Sequence, residues 1–342
     1  MPPPRSTTGL WSFRPELGAM LRRKGFSLVE LAVALAIIAL LLAGALIPLS
    51  TQIDVRNSAD TQRSMESIRE AIIGFAQANG RLPCPADGSL PAGAAGAGTE
   101  QVSGNSCTAA NSASCTAVNG AIPCSVVPWA TLGVPELDAW GRRFTYRVSP
   151  AFADAAILTT WNTLGTSPPA PPYTPPPSPP TYLAQSVSSP ASPANQTPFC
   201  HLTTAPTLSS FALCTLGDIA VFTRAGAVTT AAALGTALPA VMISHGKNGF
   251  GAWQTNGTRL NPIPAGNDEA ANSNGNTTAI PSGGYASWAF YSRTRTPAVA
   301  GCVDPAPGSP LSTAPACEFD DIVVMISSSA LITRMVAAGR LP

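Results

Sequence analysis

The hydrophobic and polar pattern near the N-terminus predicts one long helix with two different halves. Residues 26–49 are apolar apart from Ser27 and Glu30. At 1.5 Å per residue such a helix measures about 36 Å, enough to span the hydrocarbon layer of a membrane. In residues 50–80, apolar positions recur at helical spacing and predict one buried stripe: Met65, Ile68, Ile72 and Phe75. The helix is expected to end at Asn79 and Gly80, because glycine readily adopts the left-handed C-terminal conformation.

Beyond residue 80 the pattern changes to short apolar runs bounded by turn residues, which is typical of strands. Phe144, Tyr146 and Val148 alternate with polar residues, and further strands are predicted at 218–223, 240–245 and 321–327, followed by a short helix over 328–338. Residues 81–128 predict a turn-rich loop. Residues 167–180 are dense in proline and predict an exposed polyproline II spacer without a packed core.

Charge adds a direction to the apolar helix. Charged residues make up 11% of the chain and the net charge is +1, so nothing indicates nucleic-acid binding. Residues 1–25 hold five cations against one acid, Glu16. Cations flanking a membrane span stay on the cytoplasmic side, so the chain after Pro48 is expected on the opposite side.

Glu30 is the residue in residues 22–48 that most needs an explanation. A charged side chain inside bilayer-length sequence is disfavoured by roughly 2.5–3.5 kcal/mol on insertion scales, so it requires a partner. One interpretation is a simple anchor with Glu30 near the interface. A cleaved signal peptide fits poorly, because the apolar run from Leu31 to Leu49 exceeds the length of roughly 7–15 residues of a signal-peptide core.

The third interpretation rests on the sequence GFSLVEL, residues 25–31. It closely resembles the signature of type IV pilins and type II secretion pseudopilins. That resemblance implies cleavage by a prepilin peptidase between Gly25 and Phe26, N-methylation of Phe26, and pairing of Glu30 with the terminal amine of a neighbouring subunit. It also implies an assembly ATPase and a polytopic platform protein in the inner membrane as partners.

The eight cysteines all follow the apolar segment. Disulfides persist on the far side of a bacterial inner membrane, and the spacing lacks the CxxC pairs of a zinc site. We expect four disulfides between sequence neighbours, although eight cysteines allow 105 connectivities and a mixture with buried thiols stays open. The expected pairs are Cys84–Cys124, Cys107–Cys115, Cys200–Cys214 and Cys302–Cys317.

Three later segments resemble pseudopilins more faintly. Asp138, Trp140 and Gly141 match a motif that precedes the first strand in that family, and residues 243–253 with 319–327 resemble its late strands. In the major pseudopilin those late strands bind calcium. The resemblance implies Asp320 and Asp321 as calcium ligands, with backbone near Gly246 as another. This chain departs from the family pattern by carrying Asn248 in place of an acid and by an insertion that includes residues 266–276.

No catalytic motif stands out, since HExxH, GxSxG and P-loop sequences are missing from the chain. The two histidines, His201 and His245, are expected at the surface or in turns. Neither histidine is expected to activate the residue next to it, because neighbouring residues on an extended strand point to opposite faces. The sequence therefore predicts that the protein is not an enzyme and needs no cofactor other than the calcium considered above.

Together these features predict an α+β, pilin-like fold, in which a long N-terminal helix packs on a small antiparallel sheet with disulfide-tied loops. The predicted organisation is a leader over 1–25, an assembly helix over 26–49, its amphipathic continuation over 50–80 and a periplasmic domain over 81–342. The predicted function is a pseudopilin of a type II secretion pseudopilus. A minor type IV pilin or tip subunit is the alternative, followed by a membrane-anchored binding protein or hydrolase.

Overall fold

The computed structural model describes eleven segments of the chain, and it describes the backbone alone for residues 41–51, 103, 106, 150–151, 274, 276–279 and 286–287. The segments are residues 27–103, 106–107, 125–153, 209–211, 213, 217–224, 232–260, 266–274, 276–279, 286–305 and 312–341. The chain forms two compact units, Met1–Ile53 and Asp54–Pro342, and each is described by itself. The leader, Gly25, Phe26 and the proline-dense stretch 167–180 lie outside the described residues.

The predicted long N-terminal helix is confirmed, and we call it α1, Leu28–Asn79. It ends where the sequence predicts, because Gly80 takes a left-handed φ of 73° and its amide donates to the carbonyl of Ala76 at 2.8 Å. Within the described residues, no helix is both long and apolar enough to cross a membrane. The span predicted for residues 26–49 stays a prediction.

Five strands form an antiparallel sheet beside the second half of α1, in the order β1–β4–β5–β8–β11. Their bounds are β1 Ala86–Asp87, β4 Ser125–Val126, β5 Thr145–Val148, β8 Ala240–Ser244 and β11 Ile322–Ile326. The register joins Thr145 to Ile243 and Ile322 to Ser244. The strands predicted around Tyr146, at 240–245 and at 321–327 are therefore confirmed, and β11 lies at the edge of the sheet.

One face of this sheet packs on the apolar stripe of α1. Met65, Ile68 and Ile72 are fully buried and share a core with Tyr146 and Met242. Phe75, also predicted for the stripe, is only half-buried, and its ring lies under the guanidinium of Arg81. The stripe continues through Ala76 instead, which is fully buried.

The other face of the five-stranded sheet packs on a second sheet of four strands, in the order β7–β6–β10–β9. Their bounds are β6 Ile219–Thr223, β7 Ala232–Leu238, β9 Asn276–Ala279 and β10 Ala286–Tyr291. Only β6 was predicted from the sequence. The predicted antiparallel sheet is confirmed as the five-stranded sheet. The second sheet was not predicted, and within it β10 pairs with β6 in parallel. A two-stranded ribbon joins β2 Val102–Ser103 and β3 Ser106–Cys107.

Four short helices complete the described part of the unit: α2 Trp129–Leu132, α3 Pro150–Ala153, α4 Asn267–Asn274 and α5 Ser328–Ala337. Helix α5 confirms the predicted closing helix, and the Oγ of Ser327 caps it by accepting from the amide of Ala330 at 3.3 Å. Helix α4 was not predicted. It lies on the outer face of the second sheet, where Ala271 packs with Phe222 and Tyr291.

Two disulfides lie in the described residues, and one of them contradicts the sequence prediction. Cys302–Cys317 is confirmed. Cys84 pairs with Cys107, so the expected pairs of these residues with Cys124 and Cys115 are wrong. The reason is tertiary, because the β2–β3 ribbon turns back and the amide of Gln101 donates to the carbonyl of Pro85, which brings Cys107 beside Cys84. The pair Cys200–Cys214 lies outside the described residues.

The mixed helix-and-sheet class is thus confirmed. The pilin-like arrangement as a whole stays a prediction, because the hydrophobic half of α1 belongs to a separate unit.

Candidate functional site

The start of α1 is a capped helix terminus. The Oγ of Ser27 accepts a hydrogen bond from the amide of Glu30 at 3.1 Å, and the carbonyl of Ser27 accepts from the amide of Leu31. A short hydroxyl side chain at this position satisfies a backbone amide that has no partner within the helix. Glu30 therefore lies in the first turn, where the helix dipole favours an acid. The structure does not describe Gly25 and Phe26, the expected processing residues.

The surface of α1 that follows is apolar and uncovered. Every residue from Leu28 to Leu40 is exposed, including Leu28 at 86% and Leu40 at 75%. A helix that is hydrophobic on all sides is ordinarily buried in lipid or in protein. Among the described residues no cationic side chain forms an ion pair with Glu30. The N-terminus of α1 therefore presents one carboxylate, that of Glu30, on an exposed apolar helix. Such a surface is suited to binding an apolar partner that carries a positive charge.

Asp138 organises the turn that resembles the pseudopilin segment before the first strand. Its Oδ1 accepts from the amides of Trp140 at 2.9 Å and Arg142 at 3.0 Å. Its Oδ2 accepts from the hydroxyl of Ser244 at 2.7 Å, which ties the turn to the end of β8. Gly141 fits the turn because its φ is 79°, a conformation that side chains rarely adopt. The role of this segment is structural.

A cluster of three carboxylates lies at the beginning of β11. Asp320 and Asp321 precede that strand, and Glu269 reaches them from α4, so that one oxygen of each lies within 4.8 Å of the others. Glu269 and Asp321 are buried and Asp320 is half-buried. Asp320 and Asp321 were candidates from the sequence. Glu269 was missed, since no apolar periodicity marks α4 and only the fold brings it to β11.

Hydrogen bonds hold the cluster in place. The amide of Asp320 donates to Oε1 of Glu269 at 2.8 Å, and the side-chain amide of Asn248 donates to both Glu269 oxygens at 3.1 Å. The backbone amide of Asn248 donates to Oδ2 of Asp320, and Asn272 donates to Oδ2 of Asp321, each at 2.8 Å. Asn248, the departure from the family pattern, therefore binds two of the three carboxylates.

Arg142 occupies the turn that was expected to supply a carbonyl ligand. Its guanidinium donates to the carbonyl of Gly246 at 2.6 Å and to that of Lys247 at 2.8 Å. The backbone of the turn is thus already bound to a cation of the protein. Gly246 itself is required, because its φ is 55° and a Cβ there would lie 2.4 Å from the carbonyl oxygen of Asp320.

His245 is not the surface residue that the sequence led us to expect. It is fully buried at the end of β8, with Nε2 2.8 Å from the hydroxyl of Thr145 and Nδ1 3.6 Å from Oδ1 of Asp321. Three different strands or their ends supply these residues, which no sequence spacing reveals. His201 lies outside the described residues.

The cluster fits a hard cation such as calcium by the chemistry of its donors. Calcium binds carboxylate and carbonyl oxygens. Two buried oxygens, Oδ1 of Asp320 and Oδ1 of Asp321, accept no hydrogen bond among the described residues. When bound, a cation would neutralise the charge of Glu269, Asp320 and Asp321. The Gly246 carbonyl is not part of this donor set as the structure stands.

Without a cation the cluster should make stability depend on pH. Burial, and secondarily Asp321, raise the pKa of Glu269 from its ordinary 4.5 to about 9. Burial also raises the pKa of Asp320 from 3.8 to about 6. Between these ordinary and raised values the folded state holds protons that the unfolded state has released, so the unfolding free energy falls as pH rises.

We therefore expect the melting temperature of chelator-treated protein to decrease between pH 5 and pH 9. Glu269→Gln should flatten this decrease, whereas the matched change Glu66→Gln on the exposed face of α1 should leave it intact. A melting temperature that rises or stays constant across this range in the wild type would contradict the assignment. Circular dichroism melts across a pH series provide the measurement.

Comparison with known families finds one match. Residues 20–46 match the prokaryotic N-terminal methylation motif, the prepilin-type motif of type IV pilins and pseudopilins. The chain carries that motif at the start of α1, with Glu30 inside it. Neither the curated proteins nor the solved structures gave a match. The motif supports a type IV pilin-like or pseudopilin protein, and it implies processing by a prepilin peptidase and assembly with other pilin subunits.

Proposed function

We propose that the chain is a pseudopilin of a type II secretion pseudopilus. A prepilin peptidase cuts between Gly25 and Phe26, Phe26 is N-methylated, and the mature subunit polymerises through α1. The methylation motif at residues 20–46 carries this proposal. The exposed apolar surface of Leu28–Leu40 supports it, because polymerisation replaces lipid contacts of such a helix with contacts to neighbouring helices.

In this proposal the subunit is anchored in the inner membrane with its C-terminal domain in the periplasm, and an assembly ATPase and a platform protein drive polymerisation. Disulfides in the domain are compatible with an oxidising compartment. The Asp138 turn and the acidic pair before β11 favour the pseudopilin branch through their resemblance to it.

A minor type IV pilin or tip subunit is the second candidate. The observation that favours it is the four-stranded second sheet with α4, which adds a large body to the five-stranded sheet. Loss of exoprotein secretion in a deletion strain supports the pseudopilin, whereas loss of twitching or DNA uptake with normal secretion supports the minor pilin.

The decisive experiment is the intact mass and N-terminal peptide map of the protein from its native membrane, with and without the prepilin peptidase. We expect a mature N-terminus at methylated Phe26 only when the peptidase is present. A retained leader in both strains would make the protein an ordinary membrane-anchored one. A cut beyond residue 49 would instead indicate a secreted domain, and either result overturns the proposal.

A further inference from the structure

The strand β11 is an edge strand whose outer side has no partner strand among the described residues. Its inner side pairs with β8 over the whole length of Ile322–Ile326, and β11 is the last strand in the order of its sheet. Alternate residues of an antiparallel edge strand direct their N–H and C=O groups away from the sheet. The sequence IVVMI contains neither a charge nor a proline, the usual devices that keep an edge from pairing. The backbone of β11 is therefore available to a further strand.

The chain itself covers this edge only at its beginning. Phe319 and Thr296 exchange two backbone hydrogen bonds, with N···O distances of 3.0 and 3.1 Å, and so form one antiparallel bridge. The chain before Thr296 belongs to the second sheet, because the amide of Ser292 donates to the carbonyl of Phe222 in β6. Among the described residues, the edge that accepts a strand at Phe319 is thus left open from Ile322 onward.

A groove of about 520 Å³ lies beside the open part of the edge. It is bounded by β11, by the segment Ser292–Arg295 and by one face of α1. The α1 residues are Val55, Ser58, Ala59 and Gln62, whose spacing of three and four positions places them in one row. The volume lies within the roughly 300–1,000 Å³ of ligand-binding pockets, so the groove is large enough for a short stretch of peptide.

The guanidinium of Arg295 gives the groove a positive charge. Its Nη2 donates to Oγ of Ser58 at 2.9 Å, and its Cζ lies 5.7 Å from the ring centre of Trp140, so two contacts hold it in place. Among the described residues no acid forms an ion pair with Arg295. The other charged residues of the wall differ, because Arg293 is neutralised by two acids and the side chain of Asp321 is only 1% exposed. A ligand that carries a carboxylate would therefore meet an uncompensated cation.

We propose that this groove binds an extended segment of a partner protein, which adds a strand to the outer edge of β11 and places an acidic side chain on Arg295. Backbone hydrogen bonds supply the affinity, while the carboxylate on Arg295 and the side chains that face α1 set the register. All of the residues involved lie in the unit Asp54–Pro342, so this binding does not depend on polymerisation through the apolar half of α1.

The first test measures binding of labelled synthetic heptapeptides to the full-length protein in detergent by fluorescence anisotropy. Valine and threonine alternate in these peptides, and one aspartate is moved through all positions, with an asparagine copy of each peptide as reference. The tightest aspartate peptide should have a dissociation constant below about 1 mM, and its asparagine copy should bind at least about threefold more weakly. Arg295→Gln should remove this difference, whereas Arg334→Gln, which changes an exposed arginine of α5, should preserve it.

The second test separates strand addition from simple charge attraction. Alternate N–H groups of an added strand point toward β11 and away from it. Methylation of one alternate set of peptide amides should therefore abolish binding, and methylation of the other set should leave it intact. Ala59→Phe fills the groove from the side of α1 and should also abolish binding. If this variant loses the circular dichroism spectrum of the wild type, the two methylated peptides on the wild type decide the question.

Four results would overturn the proposal. The first is a dissociation constant above about 1 mM for every peptide. The second is an equal effect of the two methylated sets, and the third is a preference for aspartate that survives in Arg295→Gln. The fourth is a concentration-dependent dimer in sedimentation experiments that Ala59→Phe abolishes, because a second copy of this chain would then occupy the groove.

Discussion

Replacing Glu30 by alanine is expected to reduce incorporation of the protein into filaments to background. In the assembled state proposed here, Glu30 pairs with the methylated terminal amine of a neighbouring subunit inside packed apolar helices. Removal of one partner of a buried ion pair costs about 3–5 kcal/mol, because the other charge is left without compensation. At about 1.4 kcal/mol per factor of ten, subunit association weakens by roughly two to four orders of magnitude.

Two further variants test whether the effect comes from the charge of Glu30, from the size of its side chain or from the loss of any acid on α1. Glu30→Gln keeps the size of the side chain and should fail as alanine does, because its charge is lost. Glu66→Ala removes an exposed acid from the same helix and should assemble normally. Filament shearing followed by immunoblotting, with membrane levels of each variant as reference, measures the result. Normal incorporation of Glu30→Ala would contradict a role of Glu30 in assembly.

The second large effect is expected at Asp268, which neutralises two buried arginines. Its Oδ1 lies 2.8 Å from Nη2 of Arg224 and its Oδ2 3.0 Å from Nε of Arg293. All three side chains are at most 2% exposed. Burial raises the pKa of Asp268 to about 6, so the carboxylate is ionised at neutral pH.

Asp268→Ala should therefore lower the unfolding free energy by about 3–5 kcal/mol, the usual cost of stranding a buried charge. The matched control is Asp60→Ala, which breaks pairs of Arg56 and Arg63 on the exposed face of α1 and should cost less than about 1 kcal/mol. Chemical denaturation of both variants gives the comparison. A loss below 1 kcal/mol for Asp268→Ala would show that the two arginines find other partners.

The Asp268 network also explains how α4 is positioned. Asp304 binds Arg293 at 3.3 Å and accepts from the amide of Cys317 at 3.1 Å, so the Cys302–Cys317 disulfide joins the same network. Because Glu269 follows Asp268 directly, loss of this network should displace the Glu269 carboxylate as well. The Asp268 variant should accordingly lose any stabilisation by calcium.

Local sequence was sufficient where each element has its own periodicity or its own stop signal. The stripe of Met65, Ile68 and Ile72 predicted the buried face of α1, and Gly80 predicted its end. Alternation and dense β-branched residues predicted β5, β8 and β11. The motif that surrounds Glu30 could be recognised for the same reason, since all of its parts lie within residues 22–48 and act through one helix.

Sequence reasoning failed where a structure depends on distant partners. Of the second sheet, only β6 was predicted. Its partner β10 pairs with β6 in parallel although more than sixty residues separate the two strands in the sequence. Helix α4 has the polar sequence NDEAANSN, and its helical form depends on packing of Ala271 and on buried ion pairs. The Cys84–Cys107 pair was assigned wrongly because the return of the β2–β3 ribbon, and not sequence distance, decides which thiols meet.

By itself, then, the sequence determined the long helix, four strands, the closing helix and the prepilin-type motif, all of which are set by neighbouring residues through periodicity, caps and charge. Only the tertiary structure decided that His245 is buried, that Arg142 binds the turn at Gly246, and that Glu269 joins Asp320 and Asp321. Those contacts form between residues far apart in the chain, where burial and sheet register, rather than local preference, set which side chains meet.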